Sequence, residues 1–404
     1  MSKSELIVGL DIGTTKICAV VGEPSENGGM DIVGIGTSPS TGLRKGVVVN
    51  IEQTVQSIKR ALEEAELMAG CEIRSVYAGI AGSHIKGFNS HGVIAVKGGE
   101  VSPRDIERAL DAAKAVAIPL DREVIHILPQ EYIVDDQRGI ADPMGMAGVR
   151  LEVKVHIVTG AVTSAQNIVR SCHKSGLDVS DIVLESLASA KAVLTEEERE
   201  IGVALIDLGG GTCDIAIFAN GVLALGGQNL TNDIAFGLRT PMAAAEKIKI
   251  KHGAAIAEMV RPDEYIEVPS VGGREPRRLS RQVLAEICEP RMEEILTLLD
   301  QELVRSGLKN MIGAGVVLTG GTALIQGCQE LGEQVFNLPT RIGYPRNVGG
   351  LKDMVNSPKF ATAMGLLRFG AEKEGMEQKF RIRSDGNVFN SILSRMKKWF
   401  SEIS

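Results

Sequence analysis

The sequence lacks the patterns of a metal centre, a disulfide framework and a membrane-spanning helix. Its six cysteines are scattered without a Cys-x-x-Cys pair, which favours reduced thiols in the core of a cytosolic protein. Its six histidines show no ligand spacing, so no zinc site is expected. No apolar run reaches the roughly 18 residues of a spanning helix. The first residues run straight into a predicted strand, so no secretory leader is expected.

Basic residues are also in deficit. The net charge is −7 over 404 residues, which argues against a general nucleic-acid binder, because such proteins are usually basic. The chain is long enough for two or three domains, and its mixture of predicted strands and helices indicates the α/β class. It contains neither a Walker A sequence nor the glycine fingerprint of a dinucleotide-binding domain.

Glycine-rich turns between apolar strands are the main feature that the sequence does have. The central one reads Ile206-Asp-Leu-Gly-Gly-Gly-Thr-Cys-Asp-Ile-Ala-Ile217. Its three glycines expose backbone N–H groups, which predicts a concave site for an anion. Asp207, at the end of the first strand, is placed to hold a hydrated divalent cation against phosphate oxygens. The alternative is a flexible hairpin turn without a ligand.

The same pattern occurs near the N-terminus, in Leu6-Ile-Val-Gly-Leu-Asp-Ile-Gly-Thr-Thr-Lys-Ile-Cys-Ala-Val-Val21. When Asp11 is aligned on Asp207, both stretches read apolar strand, Asp, aliphatic, Gly, small polar turn and apolar strand. Two related halves that face each other are therefore expected. Hydroxyl and ammonium groups in this turn suit phosphate oxygens. The residues expected there are Gly13, Thr14, Thr15 and Lys16.

A third glycine pair lies in Val316-Val-Leu-Thr-Gly-Gly-Thr-Ala-Leu-Ile-Gln-Gly327. A strand over 316–319 is predicted to end at Gly320 and Gly321 and to enter a helix over 323–332. This arrangement suits the close approach of backbone to a flat base or an α-phosphate. In this order the three stretches resemble the phosphate-1, phosphate-2 and adenosine motifs of the actin/Hsp70/sugar-kinase superfamily, which implies that ATP is bound.

The segments between the motifs predict how the halves are built. A helix over 52–68 has Asn50 as a candidate N-cap and Gly70 as a stop. Residues 84–162 carry no nucleotide motif and are predicted to form a small inserted domain, with a half-buried antiparallel strand where polar and apolar residues alternate. A later strand leads into an Ala-rich helix, and Glu185 lies at the junction. The small residues of this helix permit close packing against another helix.

An arginine-rich segment interrupts the otherwise acidic chain. The loop 269–278 and the residues after it carry Arg274, Arg277, Arg278 and Arg281. A long helix over 283–305, which contains Pro290, is predicted to follow. The segment has two interpretations, a binding surface for a partner and a solvated basic face.

The last residues are predicted to form a linker and an amphipathic helix. Residues 371–386 are charged and have few large apolar side chains, as is typical of a flexible linker. On a helical projection of 387–404 the large apolar side chains fall within an arc of roughly 140°. Basic residues flank the chain's one tryptophan, a combination typical of an interfacial membrane anchor; the alternative is a helix that docks on the body or on a partner. The side chains expected at an anionic lipid surface are Phe389, Ile392, Leu393, Met396, Lys397, Lys398, Trp399 and Phe400.

The whole chain resembles the FtsA family of actin-like bacterial cell-division proteins. The matches that narrow the superfamily to this family are Pro269-Ser-Val-Gly-Gly-Arg274, Leu284-Ala-Glu-Ile-Cys-Glu-Pro-Arg291 and the terminal helix. The resemblance implies an α/β, bilobed actin-like (ribonuclease H-like) fold with an inserted 1C subdomain and a C-terminal amphipathic helix. The subdomains implied are 1A (residues 1–83 and 163–197), 1C (84–162), 2A (198–227 and 306–370) and 2B (228–305).

In function, the resemblance implies a peripheral protein on the cytoplasmic side of the bacterial inner membrane, at the division site. Such a protein anchors FtsZ filaments of the Z ring, assembles with itself into filaments and recruits later division proteins, without binding nucleic acid. The C-terminal tail of FtsZ is expected on 2B, where the candidate contacts are Arg274, Arg281 and Arg291.

The resemblance also assigns residues to ATP and Mg²⁺. Asp11 and Asp207 are expected to face Mg²⁺ through water, and Glu185 to orient the attacking water. The residue after Glu185 is serine, whereas proline is usual in the Hsp70 branch. Because phosphoryl transfer depends strongly on how the water is positioned, we expect tight ATP binding with slow or negligible hydrolysis. The other residues expected on phosphate, ribose or base are Gly209, Gly210, Gly211, Thr212, Gly226, Gly227, Glu246, Lys249, Gly320, Gly321 and Thr322.

Three other protein classes share the nucleotide motifs. A sugar or acetate kinase needs a second substrate pocket and has no use for a basic amphipathic tail. An Hsp70-like chaperone needs a peptide-binding domain, for which no room is expected after residue 370. A cytoskeletal ATPase of the MreB type usually has its membrane-inserting segment at the N-terminus.

Overall fold

Two β-sheets of matching strand order form the body of the protein in a computed structural model, which describes residues 6–25, 28–218, 221–224, 228–270 and 275–383. The strands are β1 Ile7–Ile12, β2 Lys16–Pro24, β3 Met30–Pro39, β4 Leu43–Arg44, β5 Val47–Val48, β6 Ser75–Ile80, β7 Lys86–Ala95, β8 Arg122–Val134, β9 Gln137–Ile140, β10 Arg150–Ala161, β11 Asp178–Leu184, β12 Val203–Leu208, β13 Cys213–Phe218, β14 Gly221–Ala224, β15 Tyr265–Val268, β16 Arg277–Ser280, β17 Val316–Thr319, β18 Thr340–Ile342 and β19 Val348–Gly350. The α-helices are α1 Ile51–Ala69, α2 Pro103–Lys114, α3 Val162–Lys174, α4 Glu185–Val193, α5 Glu196–Ile201, α6 Gln228–Gly237, α7 Met242–His252, α8 Arg281–Arg305, α9 Cys328–Phe336, α10 Lys352–Val355 and α11 Ala361–Arg383.

The two sheets repeat one topology. The first has the order β11-β6-β1-β2-β3-β19, and the second has the order β14-β13-β12-β17-β18. In each sheet an antiparallel meander (β1-β2-β3 or β12-β13-β14) is followed by two parallel neighbours on the side of its first strand (β6 and β11, or β17 and β18). The predicted pair of related halves is therefore confirmed. The two halves could be predicted because each begins with the same short sequence pattern of strand, glycine turn and strand.

Helices α4 and α11 lie between the two sheets and share one apolar core with both of them. That core joins Val20 of the first sheet and Leu205 of the second to Ala188 of α4 and Leu366 of α11. The helices approach so closely that a Cβ added to Gly365 would lie 1.7 Å from the carbonyl oxygen of Ala188. The small residues of the predicted Ala-rich helix are what permit this approach.

The other face of each sheet is covered by its own helices. In the first sheet, Leu10 and Val21 pack with Ile58 of α1 and Ile168 of α3. Helix α1 begins at Asn50, whose side chain accepts a hydrogen bond from the Gln53 N–H at 3.1 Å, and it ends at a left-handed glycine. Both predicted caps of this helix are confirmed. The second sheet packs its outer face against α6, α7, α8 and α9.

The inserted subdomain is a separate four-stranded sheet, in the order β7-β10-β8-β9, with α2 against it. Ser102 forms a capping box with Asp105 at the start of α2. The predicted alternation is confirmed in β10, where residues such as Leu151 and Val153 are buried and the residues between them are not. Strand β8 is continuous through Pro129, which lies beside a register shift between β8 and β10, a position at which a strand tolerates proline.

Two predicted helices have different bounds. The segment after Gly321 forms a single 3-10 turn over Thr322–Leu324, and the α-helix begins only at Cys328. Tertiary pairing explains the difference, since Gln326 bridges to Ala254 and Gly327 has a φ of 81°. The predicted flexible linker over 371–386 is helical in its first part, because α11 continues from the folded body to Arg383. Ion pairs from Glu372 to Lys191 and from Lys373 to Asp181 hold its continuation against the body.

Across the described ranges, no helix combines the length and the apolar character needed to cross a membrane. The predicted amphipathic helix and its lipid-facing residues (387–404) lie outside the described residues.

The contact between α4 and α11 predicts the effect of a single methyl group. In Gly365→Ala, the new Cβ has backbone as its neighbour and cannot be accommodated by a rotamer change, so we expect a loss of about 3 kcal/mol in the free energy of unfolding. Urea unfolding of the full chain measures it. The control is Gly332→Ala in α9, whose nearest neighbours are side-chain tips at 3.1 Å or more. Equal losses in the two variants would contradict this account of the interface.

Candidate functional site

The two glycine-rich hairpins predicted from the sequence lie tip to tip. A Cβ added to Gly210 would lie 2.3 Å from the Thr15 side chain, and one added to Gly211 would lie 2.2 Å from the Thr14 hydroxyl. The Thr14 hydroxyl also accepts a hydrogen bond from the Gly46 N–H at 2.9 Å. The turns of β1–β2 and β12–β13 therefore form the two sides of one site, and the glycines of the second turn make the approach possible.

The aspartates of the two hairpins occupy equivalent positions. Asp11 pairs with Cys18 across β1 and β2, and Asp207 pairs with Asp214 across β12 and β13. Directly paired residues of an antiparallel ladder point to the same face, so Asp214 joins Asp207 at the site. Asp214 was not among the site residues predicted from the sequence. Counting the hairpin register outward from the Gly-Gly-Gly turn would have found it.

Glu185 is the first residue of α4 and lies over β6 of the first sheet. It fits there because Gly79 has no side chain: a Cβ at that position would lie 2.9 Å from the Cγ of Glu185. The next residue, Ser186, is fully buried, and its hydroxyl has no hydrogen-bond partner among the described residues. The structure thus brings the predicted Glu185 to the same charged cluster as Asp11, Asp207 and Asp214.

Burial raises the pKa of all four carboxyl groups, and neighbouring carboxylates add to the rise for Asp11, Asp214 and Glu185. Burial raises the pKa of Asp11 to about 6, with Lys16 opposing the rise and the charge of Asp207 adding to it. Burial raises the pKa of Asp214 to about 7, again with help from Asp207. The pKa values of Asp207 and Glu185 are raised as well, first by burial. Like charges packed in a poorly hydrated site favour a bound cation or proton.

Two hydroxyl groups hold Asp207 from the helices between the sheets. Ser189 of α4 donates to Asp207 Oδ2 at 2.6 Å, and Thr362 of α11 donates to the same oxygen at 3.2 Å. Both hydroxyls favour the ionised form of Asp207 and so lower its pKa, against the effect of burial. Neither residue was predicted from the sequence, and Thr362 lies in no local pattern that marks it as a site residue.

Lys16 is the ammonium group of the first turn. Its Nζ lies 3.9 Å from Asp11 Oδ2, donates to the carbonyl oxygen of Lys359 at 2.6 Å and sits 4.5 Å from the centre of the Phe360 ring. The predicted donor is therefore held at the mouth of the carboxyl cluster by backbone and ring contacts.

The third glycine motif joins the same site. Gly320 has a φ of 86°, and a Cβ on it would lie 2.4 Å from Asp207 Oδ1. Thr322 donates to the carbonyl oxygen of Gly209 at 3.3 Å. On Gly321, by contrast, the nearest atom to an added Cβ is 3.9 Å away, so its surface is open. The structure therefore brings all three predicted glycine motifs to one place.

Glu246 and Lys249 lie in the helical layer on the outer face of the second sheet. Lys249 is 6% exposed, pairs with Glu246 at 2.7 Å and donates to the Thr231 hydroxyl at 2.8 Å. Thr231 in turn donates to Glu246. These described contacts join α6 to α7 and do not reach the hairpins, so the role of the two residues at a ribose or base stays a prediction.

Two of the three arginines predicted to bind a partner, Arg281 and Arg291, are engaged within the chain. Arg281 donates to the carbonyl oxygen of His252 at 2.8 Å and forms hydrogen bonds with Glu264 and Gln326 at 2.5 Å each. Arg291 pairs with Asp233 of α6 and with Glu294 one turn along α8. Burial in such contacts gives Arg281 a structural role that its position in a basic loop did not predict.

Some predicted site residues lie outside the described ranges, namely Gly226, Gly227 and Arg274. Within those ranges, no three side chains among His, Cys, Asp and Glu are arranged to hold a metal ion directly.

Comparison with known proteins identifies the family. Residues 204–365 match the family described as cell division protein FtsA, and residues 82–159 match the SHS2 domain inserted in FtsA. The chain is 52% identical over 411 aligned residues to the cell division protein FtsA of Pseudomonas aeruginosa, covering 99% of this chain and 98% of that protein. The chain belongs to the FtsA family of cell division proteins. The Escherichia coli K12 FtsA is 42% identical, covering 98% of this chain and 97% of that protein.

Solved structures show the fold that this FtsA-family chain shares with more distant proteins. The PilM-PilN type IV pilus biogenesis complex superposes with a TM-score of 0.63 at 17% identity, covering 90% of this chain and 98% of that one. MreB5 of Spiroplasma citri bound to ADP gives a TM-score of 0.56 at 16% identity, covering 92% and 98%. At such low identity the likeness concerns the fold alone. The fold is therefore the bilobed actin-like one, with an inserted subdomain.

The raised pKa of Asp214 predicts how stability depends on pH. The unfolded carboxyl ionises near pH 4, whereas the folded one ionises near pH 7. The folded state therefore binds more protons between these values, and its stability falls as the pH rises through that window. Asp214→Asn removes this penalty, so without nucleotide or Mg²⁺ its free energy of unfolding at pH 8 should exceed that of the parent chain by about 4 kcal/mol.

Urea unfolding at pH 4.5 and pH 8 measures the effect, and the gain should be much smaller at the lower pH. The control is Asp178→Asn at an exposed position of β11, which should leave the difference between the two pH values unchanged. An equal change for Asp214→Asn at both pH values would contradict the coupling of this carboxyl to its neighbours.

Proposed function

We propose that this FtsA-family chain is an ATP-binding protein that anchors FtsZ filaments to the cytoplasmic side of the inner membrane. In this role it assembles with itself into filaments and recruits later division proteins. The observation that carries the proposal is the convergence of three glycine-rich motifs on one cluster of carboxyl groups, between two sheets of the same topology. The family assignment supports the division role.

The residues at the site suit a magnesium nucleotide. The turns beginning at Gly13 and Gly209 offer backbone N–H groups, and the hydroxyls of Thr14, Thr15 and Thr212 with Lys16 complete the donors for phosphate oxygens. Bound Mg²⁺ would supply positive charge to the phosphates and to the carboxyl cluster. Asp11 and Asp207 would face the ion through its coordinated water, since Mg²⁺ usually keeps several waters when it binds phosphates.

The chemistry expected of this site is slow. Glu185 is the candidate for orienting water, because it begins α4 beside the aspartates. Burial raises the pKa of its carboxyl group, which disfavours the ionised form that would accept a proton from water. We therefore infer that nucleotide occupancy controls assembly more than turnover does, and we assign Asp11 and Asp207 to charge balance around the phosphates.

ATP binding is tested by removing the ammonium group of the first turn. Lys16→Gln should weaken ATP binding in the presence of Mg²⁺ by at least about tenfold, because a charged donor to phosphate is lost. Isothermal titration calorimetry measures the affinity. The control is Lys114→Gln on α2 of the inserted subdomain, which should bind ATP as the parent chain does. If the parent chain fails to bind ATP, the nucleotide proposal is wrong.

We propose that two different regions of the chain bind the membrane and the FtsZ tail. The terminal segment supplies apolar and basic side chains at helical spacing, and each basic residue near an anionic leaflet adds about 1 kcal/mol of attraction. A single helix of this kind binds weakly, so anchoring is expected to need several copies in one filament. For the FtsZ tail we propose the surface of α6 and α8 around Arg291, where acidic groups of the tail would compete with Asp233 and Glu294 for the guanidinium.

Recruitment of FtsZ to vesicles tests both ends of the tether. FtsZ filaments should pellet with anionic liposomes when the full chain and ATP are present, and should stay in the supernatant when the chain ends at Gly386. Phe400→Asp on the apolar side should behave like the shortened chain. Its matched control, Ser401→Asp on the polar side, should reduce pelleting only slightly, since it adds the same charge without removing apolar area.

The outcomes separate the two claims. Equal pelleting of the full and shortened chains would contradict the membrane anchor. Pelleting of the full chain alone, with FtsZ left behind, would contradict the FtsZ tether but not the anchor.

A further inference from the structure

A hydrogen bond joins the inserted subdomain to the strand that leads into Glu185. The Leu184 N–H donates to His126 Nε2 at 2.9 Å. His126 belongs to β8 of the inserted subdomain, and Leu184 is the last residue of β11, immediately before Glu185. No local sequence pattern predicted a role for this histidine.

The bond satisfies a backbone donor that has no strand partner. Strand β11 is at the edge of the first sheet, with β6 on one side only. An edge strand leaves one row of N–H and C=O groups without a ladder, and Leu184 is 1% exposed, so water has little access to its donor. An unpaired buried N–H is costly. His126 is therefore an integral part of the end of this strand.

The ring of His126 is held in place by its surroundings. It packs edge-to-face on Phe369 of α11, with ring centres 6.0 Å apart, and Phe369 packs in the same way on Tyr77 of β6. Burial lowers the pKa of His126 to about 4; Asp181 opposes this and Lys373 adds to it. The imidazole is therefore neutral near pH 7, with Nε2 free of a proton and able to accept.

The N-cap position of α4 supplies no side-chain hydrogen bond to the first turn of the helix. Leu184 is the N-cap of α4, and no side chain of its own caps the helix. A helix that begins without a capping side chain frays more readily at its first turn. The first residue of that turn is Glu185, whose carboxyl group must be aimed between Asp11, Asp207 and Asp214. A fixed Leu184 N–H thus limits the directions that Glu185 can take.

We propose that His126 is a positioning residue for Glu185, through which the placement of the inserted subdomain controls the aim of this carboxyl group in the nucleotide site. The proposal rests on the proposed ATP site. In this proposal the inserted subdomain influences the cluster of carboxyl groups through Leu184 and Glu185, and it needs no contact with the nucleotide.

Hydrogen exchange at the Leu184 amide tests the bond, and two variants separate the acceptor from the ring. His126→Phe keeps a ring against Phe369 but cannot accept, so exchange at Leu184 in the full chain should become about tenfold faster. His126→Gln keeps an acceptor without the ring and should recover most of the protection. The control is His91→Phe, an exposed histidine of β7 that bonds only to the Glu152 side chain among its described contacts, which should not alter exchange at Leu184.

A double-mutant cycle with Glu185→Gln tests the positioning role. Conversion of bound radiolabelled ATP to ADP is followed in a single turnover, together with ATP affinity. His126→Phe should slow conversion several-fold when Glu185 is present, and should have no effect on the Glu185→Gln background, while ATP affinity changes less than about twofold.

Each outcome has a defined meaning. Unchanged exchange at Leu184 in His126→Phe, or the same slowing with and without Glu185, would overturn the inference. The inference would also be overturned if the parent chain converted ATP no faster than Glu185→Gln does, because the orientation of Glu185 would then have no effect on the reaction. Failure of the parent chain to bind ATP would instead overturn the proposed function, and the exchange result would still report on the bond.

Discussion

The close crossing of α4 and α11 is the contact on which the rest of the structure depends. The absence of a side chain at Gly365 lets the backbone of α11 touch that of α4 at Ala188. Both helices lie between the sheets, so their separation sets the distance between the two hairpins. The same crossing places Ser189 and Thr362 on one oxygen of Asp207. A wider crossing would therefore separate the halves and release the aspartate at the same time.

Electrostatic repulsion in the site is the counterpart of this tight packing. Four carboxyl groups with raised pKa values are gathered where each hairpin ends and where α4 begins. One ammonium group, that of Lys16, lies at 3.9 Å from the nearest of them. Because these carboxyl groups are buried and their charges are not fully neutralised, they destabilise the ligand-free protein. A bound cation or proton removes this destabilisation. The fold is stable enough to hold that arrangement because its apolar core runs unbroken from one sheet to the other.

The arginines that the sequence suggests are free to bind a partner are mostly paired within the folded chain. Arginines that look available in a loop of an acidic protein are largely used inside the fold, as Arg281 is by Glu264, Gln326 and the His252 carbonyl. Arg291 is paired on both sides by carboxylates. An acidic partner at this surface has to exchange with existing ion pairs. Because replacing one ion pair by another gains little free energy, these contacts contribute more to the specificity of partner binding than to its affinity.

The sequence alone determined the elements whose causes are local. The strand, glycine turn and strand around Asp11 and Asp207, the caps of α1 and the alternation in β10 depend on neighbours within a few residues, and the repeat of the first pattern was enough to predict two related sheets. Tertiary structure decided the rest. Ser189 and Thr362 reach Asp207, and His126 reaches Leu184, through packing of segments far apart in the chain, and the helix expected after Gly321 gave way to a pairing with Ala254. Residue type says which hydrogen bonds a side chain is able to make, but only the packed fold determines which partner is near enough to make them.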